Sequence, residues 1–194
     1  MLLKIDKNIV TQLTRACTEY SEQIAYTAIG RDLTYRELNE LSDHLAVYLL
    51  EYTELQSGDR VAVQLPNILQ FPIAALAVLK ADMVLVNTNP EYSEDELKHQ
   101  LNDSGAKALI VYSGKALTFQ AIQAETSVQT VIVTNIADLH PLIRRTTLHT
   151  LARFAAYQSC LEFPAFVKFR KALALGKKSS SDMRFKRCPG CSCR

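Results

Sequence analysis

The chain has no apolar run that approaches the roughly 20 residues a helix needs to cross a bilayer. Its first ten residues, MLLKIDKNIV, interleave apolar side chains with Lys and Asp, so they lack the continuous apolar core of a secretory leader. Both absences favour a cytoplasmic chain whose thiols are reduced.

Cysteine is scarce outside the last seven residues. Cys17 and Cys160 are isolated, whereas Cys188, Cys191 and Cys193 form a C-x-x-C-x-C cluster. A structural zinc site needs four ligands, and all four histidines lie far upstream of this cluster. We therefore predict an unstructured tail at the cluster and no metal site.

The common catalytic motifs are also missing. The sequence contains no GxxxxGK[ST] phosphate loop, no GxGxxG, no GxSxG and no HExxH. We predict that no residue of this chain is catalytic, binds a cofactor or binds a metal.

Acidic residues are scarce in the last part of the chain. Residues 1–137 carry 10 basic and 17 acidic side chains, whereas residues 138–194 carry 12 basic and 3 acidic ones. Such an asymmetry is typical either of a surface that meets phosphates or anionic lipid, or of a basic tail outside the fold. A nucleic-acid partner is not expected, because the basic region lacks interleaved aromatic residues and any known motif.

The central part of the chain alternates short apolar runs with amphipathic ones. Because strands that alternate with helices of about 10–15 residues indicate βαβ units, we predict an α/β fold with a mostly parallel sheet and flanking helices. The predicted strands are 60–65, 84–86, 107–112 and 128–134, after a hairpin of 24–29 and 33–35, and we expect the strand 84–86 to be buried. The predicted helices are 34–49, 68–81, 94–104 and 116–125.

Helix boundaries are indicated by local chemistry. Thr34 with Glu37, and Ser93 with Glu96, have the spacing of capping boxes. Gly105 suits the position that follows a helix. We also expect Asn67 to cap the helix 68–81.

The pattern changes after Leu139. Residues 141–157 and 164–175 resemble basic amphipathic helices, and we expect Gly176 to end the second one. The segment 139–175 has two interpretations, a face that lies on anionic lipid or an ordinary solvated surface. Residues 177–194 have no periodicity and are expected to be disordered.

Three segments carry a resemblance to a known family. They are LTYREL at 33–38, LPN at 65–67 with the helix that follows, and VNTNPEYSEDELKHQLNDSGAK at 86–107. Together they resemble the bacterial long-chain fatty-acid–CoA ligases of the adenylate-forming, AMP-binding superfamily. The resemblance implies an incomplete N-terminal AMP-binding domain at 1–176, and an unrelated tail at 177–194.

The resemblance also implies an activity and its reactants. The family uses ATP, Mg and CoA to convert a fatty acid to acyl-CoA, with AMP and pyrophosphate as products. Its phosphate loop, rich in Ser, Thr and Gly, has no match here, and neither do its later magnesium, ribose and catalytic-lysine positions. We therefore expect an inactive fragment that retains none of these cofactors, from a copy truncated or frame-shifted after about Gly176.

The family-motif residues are expected to be structural. They are Leu33, Thr34, Tyr35, Glu37, Leu38, Asn87, Asn89 and Pro90. The last three follow the carboxyl end of a predicted parallel strand, where ligands bind in open α/β sheets, so a binding role is their alternative. The family usually has glycine at position 82, and Asp82 should therefore adopt a positive φ at some cost.

A second hypothesis is a non-catalytic interaction subdomain. An incomplete sheet leaves an unpaired edge, which would associate with a synthetase or with the missing C-terminal portion. The expected location is the cytoplasm, with a peripheral contact at the inner face of the membrane as an additional hypothesis.

Overall fold

The computed structural model describes residues 8–140 and 166–182. The helices are α1 (Ile9–Glu19), α2 (Tyr35–Glu51), α3 (Gln70–Lys80), α4 (Glu94–Ser104), α5 (Ala116–Ile122) and α6 (Phe169–Asp182). The strands are β1 (Ile24–Ala28), β2 (Arg31–Thr34), β3 (Arg60–Gln64), β4 (Val84–Asn87), β5 (Ala108–Tyr112), β6 (Thr130–Thr134) and β7 (Val167–Lys168). Short 3-10 turns follow β5, α5 and β6.

The predicted parallel sheet is present and confirms the α/β fold. Its strand order is β4-β3-β5-β6-β7, and all four pairings are parallel. Each strand presents alternate residues to opposite faces. On β3, Val61 and Val63 face one core while Ala62 faces the other.

Helices cover both faces of the sheet. The larger core contains residues of α2, α3 and α6, and the smaller core contains residues of α4 and α5. The leucine stripe of α2 enters the larger core, with Leu38, Leu45 and Leu49 buried and Leu41 partly buried. Because parallel strands are buried on both faces, apolar runs such as ALIVY in β5 need no polar alternation.

The N-terminal part adds α1 and an antiparallel hairpin. Strand β1 pairs with β2, with a bulge that leaves Ala25 without an opposite residue. The hairpin turn consists of Ile29 and Gly30, both with positive φ (51° and 69°), and not of the predicted Gly30–Asp32. Helix α1 was not predicted.

Both predicted capping boxes are confirmed. The Glu37 N–H donates to Thr34 Oγ1 (3.2 Å), and the Thr34 N–H donates to Glu37 Oε2 (3.1 Å). Ser93 and Glu96 make the same reciprocal pair at the start of α4. Gly105 ends α4 with φ 62°, as expected. These hydrogen bonds satisfy backbone donors that a helix start leaves unpaired.

Asp82 has the positive φ, 57°, that was expected where the family has glycine. Its carbonyl accepts from the Gly58 N–H (2.8 Å), and its Oδ2 accepts from Ser57 Oγ (2.5 Å). These contacts offset part of the cost of a left-handed conformation in a non-glycine residue.

Two predictions about the middle of the chain were wrong. Asn67 does not cap α3, whose N-cap is Leu69 without a side-chain hydrogen bond. Strand β4 is not buried, because it lies at the edge of the sheet and leaves Val84 47% exposed. The sequence pattern shows an apolar strand but not its place in the strand order.

The prediction that Gly176 ends a helix was also wrong. Residues Val167 and Lys168 form β7 beside β6, and α6 begins at Phe169 and continues through Gly176 to Asp182. The disorder expected from residue 177 therefore does not begin there. The predicted helix 141–157 and the cysteine cluster lie outside the described residues.

Among the helices that the structure describes, none is both long and apolar enough to cross a membrane.

Candidate functional site

The carboxyl ends of the parallel strands define the candidate site. Strand β3 lies between β4 and β5 in the sheet. Helix α3 connects β3 to β4, and α4 connects β4 to β5 on the opposite side of β3. Helix α3 packs on one face of the sheet, and α5, which follows β5, packs on the opposite face. This change of direction between β3 and β5 is the position where open α/β sheets bind ligands.

Gln64 ends β3 at this position and is fully buried. Its Nε2 donates to the backbone oxygen of Asn89 at 3.2 Å. Its Oε1 has no hydrogen-bond partner among the described residues. A buried acceptor without a partner is costly, and Gln64 carries one at this edge.

The loop after β4 contains the family-motif residues Asn87, Asn89 and Pro90. Asn89 Oδ1 accepts from the Glu91 N–H at 3.0 Å, which is an Asx turn. The backbone oxygen of Asn87 accepts from Gln100 Nε2 at 3.1 Å. Through these two bonds, the Asn89 side chain and the Asn87 backbone help to hold the loop between β4 and α4.

A polar network joins the ends of β5 and β6. Ser113 Oγ donates to Asn135 Oδ1 (2.5 Å), and Gln70 Nε2 donates to the Asn135 backbone oxygen (2.7 Å). Asp138 Oδ2 accepts from Thr134 Oγ1 (3.1 Å) and from the Asn135 N–H (2.9 Å). The network links the start of α3 to the end of β6, and it makes this edge polar but rigid.

The motif at 33–38 forms the junction between β2 and α2. Leu33 is fully buried and Leu38 nearly so, whereas Thr34 and Glu37 form the capping box. The Tyr35 ring lies 6.2 Å from the ring of Tyr20, measured between centroids. Five residues of this motif therefore have a packing or capping role, whereas Arg36 is exposed and forms an ion pair with Glu22.

An open groove of about 620 Å³ lies between the hairpin, α2, the end of β6 and α6. Arg31, Glu37, Asp138, His140 and Arg170 line it. The groove adjoins His140, which borders a part of the chain that is not described. Its mixed charges do not favour one class of ligand.

Among the described residues, the other titratable candidates do not form a catalytic arrangement. Burial raises the pKa of the Cys17 thiol, which disfavours the reactive thiolate. His99 is exposed, as expected. Glu94, Asp95 and Glu96 occupy the first turn of α4, where they favour the helix dipole. Over residues 8–140 and 166–182, no three His, Cys, Asp or Glu side chains form a group that could hold a metal.

Sequence reasoning missed Gln64, Gln70 and Asn135. Gln64 had a usable signal, because it is a polar residue inside the apolar run RVAVQL and directly precedes a turn. Gln70 and Asn135 had none, since their contact joins residues 65 positions apart.

The chain matches the family model described as "AMP-binding enzyme" over residues 13–167. The chain belongs to this family. The resemblance inferred from the three motifs is thereby confirmed, and the parallel sheet with its two helical layers is the family's fold in this chain.

The curated relatives of this chain include long-chain-fatty-acid–CoA ligases. The ligase of Salmonella typhimurium is 38% identical over 171 residues, which are 88% of this chain and 30% of the relative. That of Haemophilus influenzae is 37% identical over 172 residues, 88% of this chain and 31% of the relative. The chain therefore spans about three tenths of the length of these relatives.

A solved structure agrees with this assignment. The crystal structure of a long-chain-fatty-acid-CoA ligase from Archaeoglobus fulgidus matches with a TM-score of 0.59 and 25% identity. The match covers 65% of this chain and 27% of that one.

Proposed function

We propose that this chain is the N-terminal part of an ATP-dependent long-chain fatty-acid–CoA ligase. Such an enzyme converts a fatty acid, ATP and CoA to acyl-CoA, AMP and pyrophosphate. The observation that carries the proposal is the 37–38% identity to ligases of that name over 88% of the chain. The confirmed AMP-binding fold supports it.

We further propose that the 194 residues catalyse no ligation by themselves. Adenylate formation requires donors that stabilise charge on the transferring group, and such groups act as a preorganised set. The candidate edge offers amide and hydroxyl groups that are already bonded to one another, in the Ser113–Asn135–Asp138 network and the Asn89 turn. The family motifs in this chain position the scaffold, and none of them is assigned a reacting atom.

The direct test is an acyl-CoA assay of the purified chain with oleate, ATP, Mg²⁺ and CoA. We expect product at the level of a protein-free control, because loss of a single transition-state donor already costs on the order of 100-fold or more. A full-length relative assayed in parallel is the positive control. Acyl-CoA formed in proportion to the concentration of the chain would contradict the proposal.

A second function is supported by the edge of the sheet. Within the described residues, strand β4 pairs with β3 alone, and the N–H groups of Val84 and Thr88 point toward β3. Because successive N–H groups of a strand point to opposite sides, the Leu85 N–H points away from β3. We propose that this edge pairs with a strand of a complementary synthetase fragment.

Size-exclusion chromatography with the remaining portion of a relative tests this pairing. We expect co-elution with the native chain and with Leu85→Ala. Leu85→Pro should abolish it, because proline blocks the outer edge without removing a bond to β3. Equal co-elution of both variants would exclude β4 as the interface.

We also propose that the chain is cytoplasmic and contacts the inner face of the membrane peripherally. A long-chain fatty acid partitions into bilayers, because each buried methylene contributes about 0.8 kcal/mol. A ligase that takes such a substrate gains from working beside the bilayer.

A further inference from the structure

We propose that one face of α6 docks this chain on an anionic bilayer. The face consists of Arg170, Lys171, Ala174, Lys177 and Lys178, and we call it the α6 basic face. The inference rests on the proposed membrane contact and assigns it to a defined surface.

The α6 basic face is separated cleanly from the packed side of the helix. Phe169, Ala172 and Leu173 are buried in the larger core, and Gly176 is buried against α2. All five residues of the α6 basic face are exposed. At 100° per residue they lie within an arc of about 120° and extend over about 12 Å, so the charges form a row.

Three cations of this row, Arg170, Lys171 and Lys177, are available to a partner. In the part of the chain that the structure describes, no carboxylate pairs with Arg170, Lys171 or Lys177. The central residue, Ala174, is small and leaves room for the long side chains around it. The sequence continues this charge in both directions, since residues 138–194 carry 12 basic and only 3 acidic side chains.

A bilayer fits this surface better than a nucleic acid does. Single-stranded nucleic acids are bound with aromatic side chains that stack on bases, and base edges are read by amide or bidentate groups. The α6 basic face offers neither an aromatic ring nor an amide. A straight row of flexible cations matches a plane of anionic headgroups, where each Lys or Arg strengthens binding about fivefold.

Co-sedimentation of the full chain with vesicles tests the proposal. We expect binding to vesicles with about one third phosphatidylglycerol, little binding to pure phosphatidylcholine, and release by salt, because screening shortens the reach of surface charge. The triple variant Arg170→Gln, Lys171→Gln, Lys177→Gln should lower the partition coefficient about 100-fold, as three cations are removed.

A matched control removes three exposed cations elsewhere, as Arg15→Gln, Arg36→Gln, Arg60→Gln. It has the same net charge and should keep its partition coefficient within about threefold of the native one. An equal loss of binding in both triple variants would overturn the proposal. Equal binding to both vesicle types, or capture by duplex DNA without a preference for anionic vesicles, would also overturn it. The assay contains no ATP or fatty acid, so its outcome is independent of the ligase proposal.

Discussion

Gly176 determines how closely α6 can approach α2. A β-carbon built on Gly176 would lie 1.8 Å from the His44 backbone oxygen and 2.8 Å from its carbonyl carbon. Real β-carbons do not come closer than about 3.0 Å to other heavy atoms. The contact is with backbone, which cannot rotate away, so the glycine is required here for packing and not for a helix end.

Gly176→Ala should therefore destabilise the chain although alanine favours helices. The gain in helix propensity is about 1 kcal/mol, whereas forcing apart packed elements costs about 1–3 kcal/mol or more. We expect a net loss of up to about 2 kcal/mol in the free energy of unfolding, measured by urea denaturation. Lys171→Ala on the exposed side of α6 should change it by less than about 0.5 kcal/mol. A more stable Gly176→Ala variant would show that the two helices are not in this contact.

His44 makes the same helix pair sensitive to pH. Burial, followed by the charge of Lys177, lowers the pKa of His44 below its ordinary value of 6.5, although Asp43 and Glu40 act in the opposite direction. Because the unfolded chain then binds the proton more readily, this contribution to stability is full above pH 6.5 and is lost as the pH falls through the lower folded pKa.

Thermal unfolding from about pH 7.5 to pH 5.5 measures this effect. We expect the midpoint to fall with pH in the native chain and to fall less in His44→Gln. The exposed His99 supplies the control, as His99→Gln should keep the native pH dependence. An unchanged slope in His44→Gln would remove His44 as the cause.

Helices α2 and α3 are joined by a nearly buried cation. Lys80 Nζ, at the end of α3, donates to Asp43 Oδ1 (2.6 Å), Asn39 Oδ1 (2.9 Å) and Ser42 Oγ (2.9 Å). The Lys80 side chain is 9% exposed and that of Asp43 is 48% exposed. The cation therefore satisfies several oxygens on one face of α2, while its carboxylate partner remains in contact with water.

Lys80→Met keeps the apolar stem and removes the charge. We expect it to lower the free energy of unfolding by about 2 kcal/mol, because the partly buried acceptors of Asn39 and Ser42 lose their donor. Lys98→Met, at an exposed ion pair with Glu125, should have little effect. Chemical denaturation compares the two, and an equal change in both would show that the Lys80 cluster does not hold the helices together.

Elements set by local rules could be predicted from the sequence. The capping boxes at Thr34 and Ser93 depend on residues three positions apart, and the αL glycine Gly105 depends on its own backbone. The leucine stripe of α2 shows which face is buried because its period matches the helix. The positive φ at Asp82 was instead expected from the family resemblance, because the family usually has glycine at this position.

The rest of the molecule depends on long-range contacts that no local pattern encodes. Gly176 was misread because its reason is His44, 132 positions earlier in the chain. The edge position of β4 follows from strand order, and two-residue strands such as β7 exist only through their neighbours. The polar network around Asn135 likewise joins α3, β5 and β6, so only the folded chain reveals it.

ATP–pyrophosphate exchange, the first half of the ligase reaction, tests the central claim most directly. The purified chain is incubated with oleate, ATP, Mg²⁺ and labelled pyrophosphate, and label entering ATP is measured beside a full-length relative. The account predicts exchange by the relative alone, because it assigns no group of this chain to the stabilisation of adenylyl transfer. Oleate-dependent exchange that rises with the concentration of the chain would contradict it.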